Sequence, residues 1–340
     1  MSRSRAFLIL GSVVACSPPA RPVPPPAPAA RPEVLACLDL PADDPRSHNL
    51  SGLAWDGAAH RLYSISDRDR SIIVLAPDPT FTRVELQPSI ALDIPQAAWD
   101  AEAVVLAGER FLVVANETEA AAFSVDRTGH DARPLALPPF PGIVHNLGLE
   151  SLGFRDGFVF AANEEALTGD GPLATASAGT VIRIVRRPLA GGADRAVAYR
   201  TEPIFAVGAK RSENGVSDLL PLGADRVLVI ERAWVEDTGN AVRIFEVDLR
   251  GAPDVLGVAD ARTVAAARKR LVVDIGGLPE DRCPPSRSAQ QHRTLENYEG
   301  IALGPVLPDG RQVMFLLADD NGGKRQSARM LTLALPPGAL

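Results

Sequence analysis

Acidic residues recur in this chain in pairs set one hairpin apart. Glu102 and Glu117 are separated by 15 positions and Glu150 and Glu164 by 14, with Glu165 adjacent. A chain that climbs one β-strand, turns and descends the next returns to its starting level after roughly that many residues, so both carboxylates of a pair lie at one rim. In three related segments Asp67, Glu231 and Asp319 take the second position, while Glu299 and Asp218 fall at or beside the first. Ser51 and Gly52 leave the earliest segment without an acid at its start. Asp and Glu are common at strand ends and in turns, so a single pair would mean little. Recurrence at equivalent positions along the chain points instead to a functional carboxylate ring.

Carboxylates confined together raise one another's pKa. A hard divalent cation, Ca²⁺ or another, resolves that conflict by accepting about six to eight oxygen ligands. The expected metal ligands are Asp67, Glu102, Glu117, Glu150, Asp218, Glu299 and Asp319. His48, His60, His130, His145 and His292 are scattered without the spacing zinc requires. Arg68, Arg232, Lys324 and Arg325 flank these acids. Cations beside bound metal suit a small anionic substrate such as a phosphate ester, which Arg grips bidentately; pairing with the neighbouring acids explains them equally well. Loops leading to the rim contain His48, Asn49, His145, Asn146 and Asn297, types that turns use more often than catalysis does. No Ser-His-Asp arrangement or nucleophile elbow is visible, which disfavours a covalent serine mechanism.

The elements that position these acids form a repeat. Five segments, 51–67, 101–117, 149–165, 216–232 and 298–320, each run through apolar positions, cross a turn and run back to an acid. Two such runs around a turn containing Gly or Asp read as a β-hairpin. Third-strand candidates follow at 71–77, 121–126, 180–187, 241–249 and 328–335, and fourth-strand candidates at 83–92, 132–138, 199–207 and 269–276. The last hairpin lacks a fourth strand, and an orphan strand stands at 33–40 before the first. Four-stranded units arranged radially make an all-β propeller, here with five blades and a ring closed by the N-terminal strand. A sixth blade would fit if the long interval between the fourth and fifth hairpins hid a degenerate one, although 259–270 reads as a helical insertion. A two-sheet sandwich is the competing architecture. With the first strand of each hairpin innermost, the acids converge on one mouth of the central channel. Ring closure also brings Cys37, on the closing strand, near Cys283, in the loop entering the same blade, as a candidate disulfide.

The chain has 340 residues, 30 of them Pro, 28 Gly and three Cys, and a formal net charge of −7. That acidity argues against nucleic acid as a partner. No apolar run approaches the roughly 20 residues that span a bilayer. Arg3 and Arg5 precede a short apolar stretch, Ala6 to Ala15, and a small-residue site ending in Cys16. This reads as a signal peptide over 1–15 resembling that of a bacterial lipoprotein, with Cys16 lipidated. The expectation is an exported monomer anchored to the cell envelope, touching the membrane only through its lipid. Residues 16–32 hold the lipidated cysteine and a proline-rich tether, and 33–340 form the propeller domain.

The segments SGLAWD, YSISDR, GLESLGF, AANEEAL, NGVSDLLPL, VIERAW and NYEGIAL, in that order, resemble the phytase-like (esterase-like activity of phytase) family of bacterial exported proteins. The resemblance covers roughly residues 33–336. It implies a β-propeller with repeated acids and a phosphoesterase activity. Carried over by motif, Glu150, Glu164, Asp218, Glu231, Arg232 and Glu299 are site positions, with Glu150, Glu164, Glu231, Arg232 and Glu299 expected to be catalytic. The first hairpin departs from the pattern. Competing functions are a non-catalytic, metal-stabilised propeller that binds a ligand or partner at the envelope, and a lactonase-type hydrolase.

Overall fold

The runs FLVVA (111–115), VLVI (227–230) and VMFLLA (313–318) are apolar at every position, and all their side chains are buried. Apolar runs this short fit strands covered on both faces. The computed structural model describes residues 31–340 except 209 and 324. Cys16, the signal segment, most of the tether and Lys324 therefore lie outside the described residues.

The chain forms five four-stranded antiparallel sheets. Blade 1 comprises β2 (Leu50–Asp56), β3 (Arg61–Ser66), β4 (Ser71–Pro77) and β5 (Val84–Ala91). Blade 2 comprises β6 (Ala103–Ala107), β7 (Arg110–Asn116), β8 (Ala121–Asp126) and β9 (Arg133–Pro134). Blade 3 contains β10 (Leu149–Arg155), β11 (Phe158–Asn163), β12 (Val181–Pro188) and β13 (Arg195–Arg200). Blade 4 contains β14 (Ser212–Gly223), β15 (Arg226–Val235), β16 (Gly239–Asp248) and β17 (Arg268–Asp274). In blade 5, β18 (Asn297–Val306), β19 (Gln312–Asp319) and β20 (Arg329–Leu335) are completed by β1 (Glu33–Asp39). This is a five-bladed β-propeller. The first strands of the hairpins, β2, β6, β10, β14 and β18, pack on one another in turn around the axis.

The core is divided among the junctions between blades. Tyr63 and Ile65 meet Phe111 and Val113 between blades 1 and 2. Leu112 and Val114 meet Val159 and Ala161 between blades 2 and 3. Phe160 and Ala162 meet Val227 and Val229 between blades 3 and 4, and Leu228 and Ile230 meet Met314 and Leu316 between blades 4 and 5. Phe315 and Leu317 return to Leu50 and Leu62 of blade 1, which closes the ring. Alternate residues of each second strand thus serve opposite neighbours, as the two-residue period of a strand requires. The innermost strands approach at backbone distance: a Cβ on Gly300 would lie 2.8 Å from Leu53 Cβ, and one on Gly52 (φ +63°) 2.8 Å from Val104 N.

Closure depends on β1, which runs antiparallel to β20 from Glu33 opposite Ala334 to Asp39 opposite Arg329. Cys37 on β1 is bonded to Cys283, with Cα atoms 4.8 Å apart. The five blades of the repeat count stand, with no sixth in the interval before β18. Residues 259–270, read as a helical insertion, are not helical beyond a 3-10 turn at Ala261–Thr263. Tertiary bonds outcompete the helix there. Arg183 donates to Val255 O and Val258 O, Asp170 accepts from Ala261 N, and Ala267 N donates to Ala198 O. The expected strand at 132–138 shrinks to Arg133–Pro134 because Pro134, Pro138 and Pro139 offer no ladder donors.

Candidate functional site

A β-bulge at the start of the inner strand aims side chains into the channel mouth. On β10, Leu149 pairs with Asn163 and Ser151 with Ala162, leaving Glu150 as the extra residue. Tyr298 pairs with Ala318 and Gly300 with Leu317, leaving Glu299; Val216 pairs with Glu231 and Asp218 with Ile230, leaving Ser217. A bulged residue escapes the ladder and can be re-aimed. In blade 2 the same level is held by Glu102, just before β6, and in blade 1 by Ser51. Glu102, Glu150, Glu299 and Ser51 line one cavity of about 500 Å³. The ends of the second strands contribute Asp67, Glu117, Glu164, Arg232 and Asp319 to the same cavity.

The charges are not spread evenly. Arg232 Nη2 lies 2.7 Å from Glu164 Oε1 and Nη1 3.3 Å from Glu299 Oε1, and Nη1 also donates to Asn297 Oδ1. This guanidinium compensates the side of the mouth formed by blades 3, 4 and 5. The blade 2 and 3 side carries two acidic trios, Asp100–Glu102–Glu117 and Glu117–Glu150–Glu164. In each trio one oxygen per carboxylate lies within 4.8 Å of the others, and Glu117 belongs to both.

Crowding and burial shift these groups together. Burial, then Glu299 and Glu117, drives Glu102 well above the usual carboxylate range; burial, then Glu102 and Glu164, does the same to Glu150. Burial raises Glu164 to about 8 against the opposing pull of Arg232, and burial with Glu299 raises Asp319 to about 8. Asp67 rises to about 7 through burial and Asp319, and its buried Oδ1 has no hydrogen-bond partner among the described residues. Burial also raises Glu117, which is partly offset by the Gly148 N–H donating 3.0 Å to its Oε2. The donors offered to a cation are carboxylate oxygens, with no imidazole or thiolate in either trio, so the residues fit Ca²⁺ or a similar hard ion.

Two expected site residues lie elsewhere. Glu231 continues the face of Val227 and Val229 toward blade 3, where it accepts from Tyr199 Oη, from Glu202 N at 2.8 Å and from Lys269 Nζ at 2.6 Å. Arg232, one residue on, takes the mouth position. Asp218 follows the bulge instead of occupying it and is buried, accepting from Leu219 N at 2.8 Å and from Ile301 N at 2.9 Å. At the bulge, Ser217 Oγ turns to Tyr298 O, 2.8 Å away. Neither Glu231 nor Asp218 lines the cavity.

Of the flanking residues, Arg68, Arg325, Asn146 and Asn297 line the cavity. His48 instead pairs its Nδ1 with Asp320 Oδ2 at 2.5 Å, and Asn49 N donates to Asp320 Oδ1. Sequence reasoning passed over Asp100, Glu213 and Trp234, which also line the mouth. Asp100 had a signal, since it stands two residues before Glu102. Trp234 stands two residues after Arg232 on the same strand, the spacing that puts both on one face.

Against known proteins, a family model described as Phytase-like, esterase-like activity of phytase, matches residues 45–322. A comparison with curated proteins finds no match. Among solved structures, similarity extends to the endo-arabinase from Bacteroides thetaiotaomicron VPI-5482, at 10% identity and TM-score 0.47, covering 89% of this chain and 96% of that one. A luciferin-regenerating enzyme matches at 11% identity and TM-score 0.36, covering 84% of this chain and 91% of that one. A streptogramin B lyase matches at 10% identity and TM-score 0.38, covering 88% and 97% respectively. Likeness at this level carries no argument about activity.

Proposed function

The chain belongs to the Phytase-like family, esterase-like activity of phytase, and from that premise we propose that its channel mouth is a divalent-metal-assisted hydrolase site for phosphate esters. The observation that carries this reading is the split of charge across the mouth. Asp100, Glu102, Glu117 and Glu150 have no Lys or Arg partner among the described residues, while Arg232 is held between Glu164, a member of the second trio, and Glu299. Asp100, Glu102, Glu117, Glu150 and Glu164 would hold the cation. When bound, it supplies Lewis-acid polarisation of the phosphoryl oxygen and acidifies water at neutral pH.

The chain's own residues do the rest. Arg232 presents a planar fork to the phosphoryl oxygens, while Glu164, Glu299 and Asn297 fix its plane. Arg68 and Arg325 at the rim attract the anion. Asp67 lines the same mouth outside both trios, and we assign it the proton of the attacking water. The Cys37–Cys283 bond supports an exported setting, since disulfides persist in oxidising compartments. The further proposal of an envelope anchor rests on the signal-like segment ending at Cys16 alone.

The test is a panel of phosphomonoesters, phosphodiesters and lactones, assayed with chelator and with Ca²⁺ restored, on wild type and Glu150→Gln. Turnover of a phosphate ester that disappears with chelator, returns with Ca²⁺ and falls at least about a hundredfold in Glu150→Gln is expected from loss of a directly acting group. No turnover of any ester, with only a chelator-dependent fall in melting temperature, would leave a binding propeller in place of an enzyme. Turnover of lactones alone would replace the substrate class.

A further inference from the structure

The mouth contains one aromatic side chain among its described lining residues, Trp234, and apart from Leu147 every other one is polar or charged. Trp234 and Arg232 are alternate residues of β15, so both project from the same face of the strand. The indole is half-buried. The guanidinium of Arg211 lies over one face of the ring, 5.6 Å from its centroid, and is itself tied to Glu236 Oε1 at 2.7 Å. A cavity of about 500 Å³ is of the size that takes a small organic ligand, and is larger than a bare phosphate group requires.

We propose that Trp234 is a specificity-determining residue that stacks on a flat ring in the organic part of the substrate, so that the site selects ring-bearing phosphate esters over small alkyl ones. The proposal rests on the phosphate-ester reading above and names its substrate class. Arg232 positions the phosphoryl group, and the indole two residues further along the same face receives the group esterified to it. An aromatic face in an otherwise polar mouth offers a ligand contact that depends on π surface and not on charge. Such a contact distinguishes substrates carrying the same phosphate.

The experiment compares binding of phenylphosphonate and methylphosphonate by calorimetry in Ca²⁺, on wild type, Trp234→Ala and Trp234→Phe, each checked for folding by circular dichroism. Wild type is expected to bind phenylphosphonate about tenfold more tightly, at the lower end of what stacking on an aromatic side chain gives. Trp234→Ala should erase that preference while leaving methylphosphonate affinity unchanged, and Trp234→Phe should retain part of it. Equal affinity for the two probes in wild type, or a preference that survives in Trp234→Ala, would overturn the role of Trp234 with the anion site intact. Binding of neither probe would remove the phosphate-ester reading and this proposal with it.

Discussion

Arg232 of blade 4 reaches across to Glu164 of blade 3, with Nη2 2.7 Å from Oε1, and the same guanidinium meets Glu299 of blade 5 at 3.3 Å. One cation thus joins three blades at the channel mouth. Its predecessor in sequence, Glu231, takes no part in this contact.

Adjacent residues should therefore give opposite results. Arg232→Met leaves two buried carboxylates without their partner and should cost about 3–5 kcal/mol, read by chemical denaturation in chelator. It should also abolish hydrolysis of any phosphate ester that wild type turns over. Glu231→Gln should lower stability through the weakened Tyr199 and Lys269 contacts while leaving Ca²⁺ affinity unchanged by calorimetry. A large loss of Ca²⁺ affinity in Glu231→Gln would contradict its placement away from the mouth.

Glu117 is shared by both trios, whereas Asp100 belongs to one. Glu117→Gln should weaken Ca²⁺ binding more than Asp100→Asn does, by at least about tenfold, since it takes a charged ligand from both trios and Asp100→Asn from only one. Equal effects in a calorimetric titration would show that membership of both trios gives Glu117 no greater share in binding than Asp100.

Stability without metal should fall as pH rises. Carboxylates ordinarily titrate near 4, but in the folded protein Asp67 is raised to about 7 and Glu164 and Asp319 to about 8. Between those values the folded state holds more protons than the unfolded one, so the slope of unfolding free energy against pH is negative. The contribution of these groups is fully present below about 4 and is lost as pH climbs through about 8. Melting temperatures in chelator from pH 4 to 9 should decline across that window, and saturating Ca²⁺ should remove the decline. A flat profile in chelator would mean that the mouth carboxylates are not strained by one another.

The Cys37–Cys283 bond ties the closing strand to the loop that enters the last blade, across 246 residues of chain. Removing a native disulfide typically costs about 2–5 kcal/mol. Cys37→Ser with Cys283→Ser should lower the denaturation midpoint by a corresponding amount. Neither cysteine lines the mouth, so Ca²⁺ affinity should be preserved in the folded variant. An unchanged midpoint would show that the β1–β20 pairing alone secures the ring.

Much of this arrangement was legible in the sequence because it is local. Strand pairs, their turns and the acid at the end of each second strand follow from patterns within some 20 residues, and the orphan strand at 33–40 followed from counting them. The fully apolar runs of β7, β15 and β19 required cover on both sides, which a ring of radially packed blades provides. The alanine-rich stretch near 265 misled because its backbone partners, Arg183, Asp170 and Ala198, are distant in the chain.

The sequence by itself determined that repeated hairpins would carry acids to one rim, since period and turn chemistry are properties of short segments. Only the tertiary structure decided which of two adjacent residues looks into the channel. A strand exposes alternate residues to opposite sides, and a single bulge reverses that assignment, so Ser217 and not Asp218 is the extra residue of β14, and Arg232 and not Glu231 lines the mouth. Which acids are compensated was likewise decided by blades that meet across the axis. Arg232 reaches Glu164 and Glu299 only when blades 3, 4 and 5 pack side by side, and Asp100, Glu102, Glu117 and Glu150 are left without a guanidinium partner, for a cation.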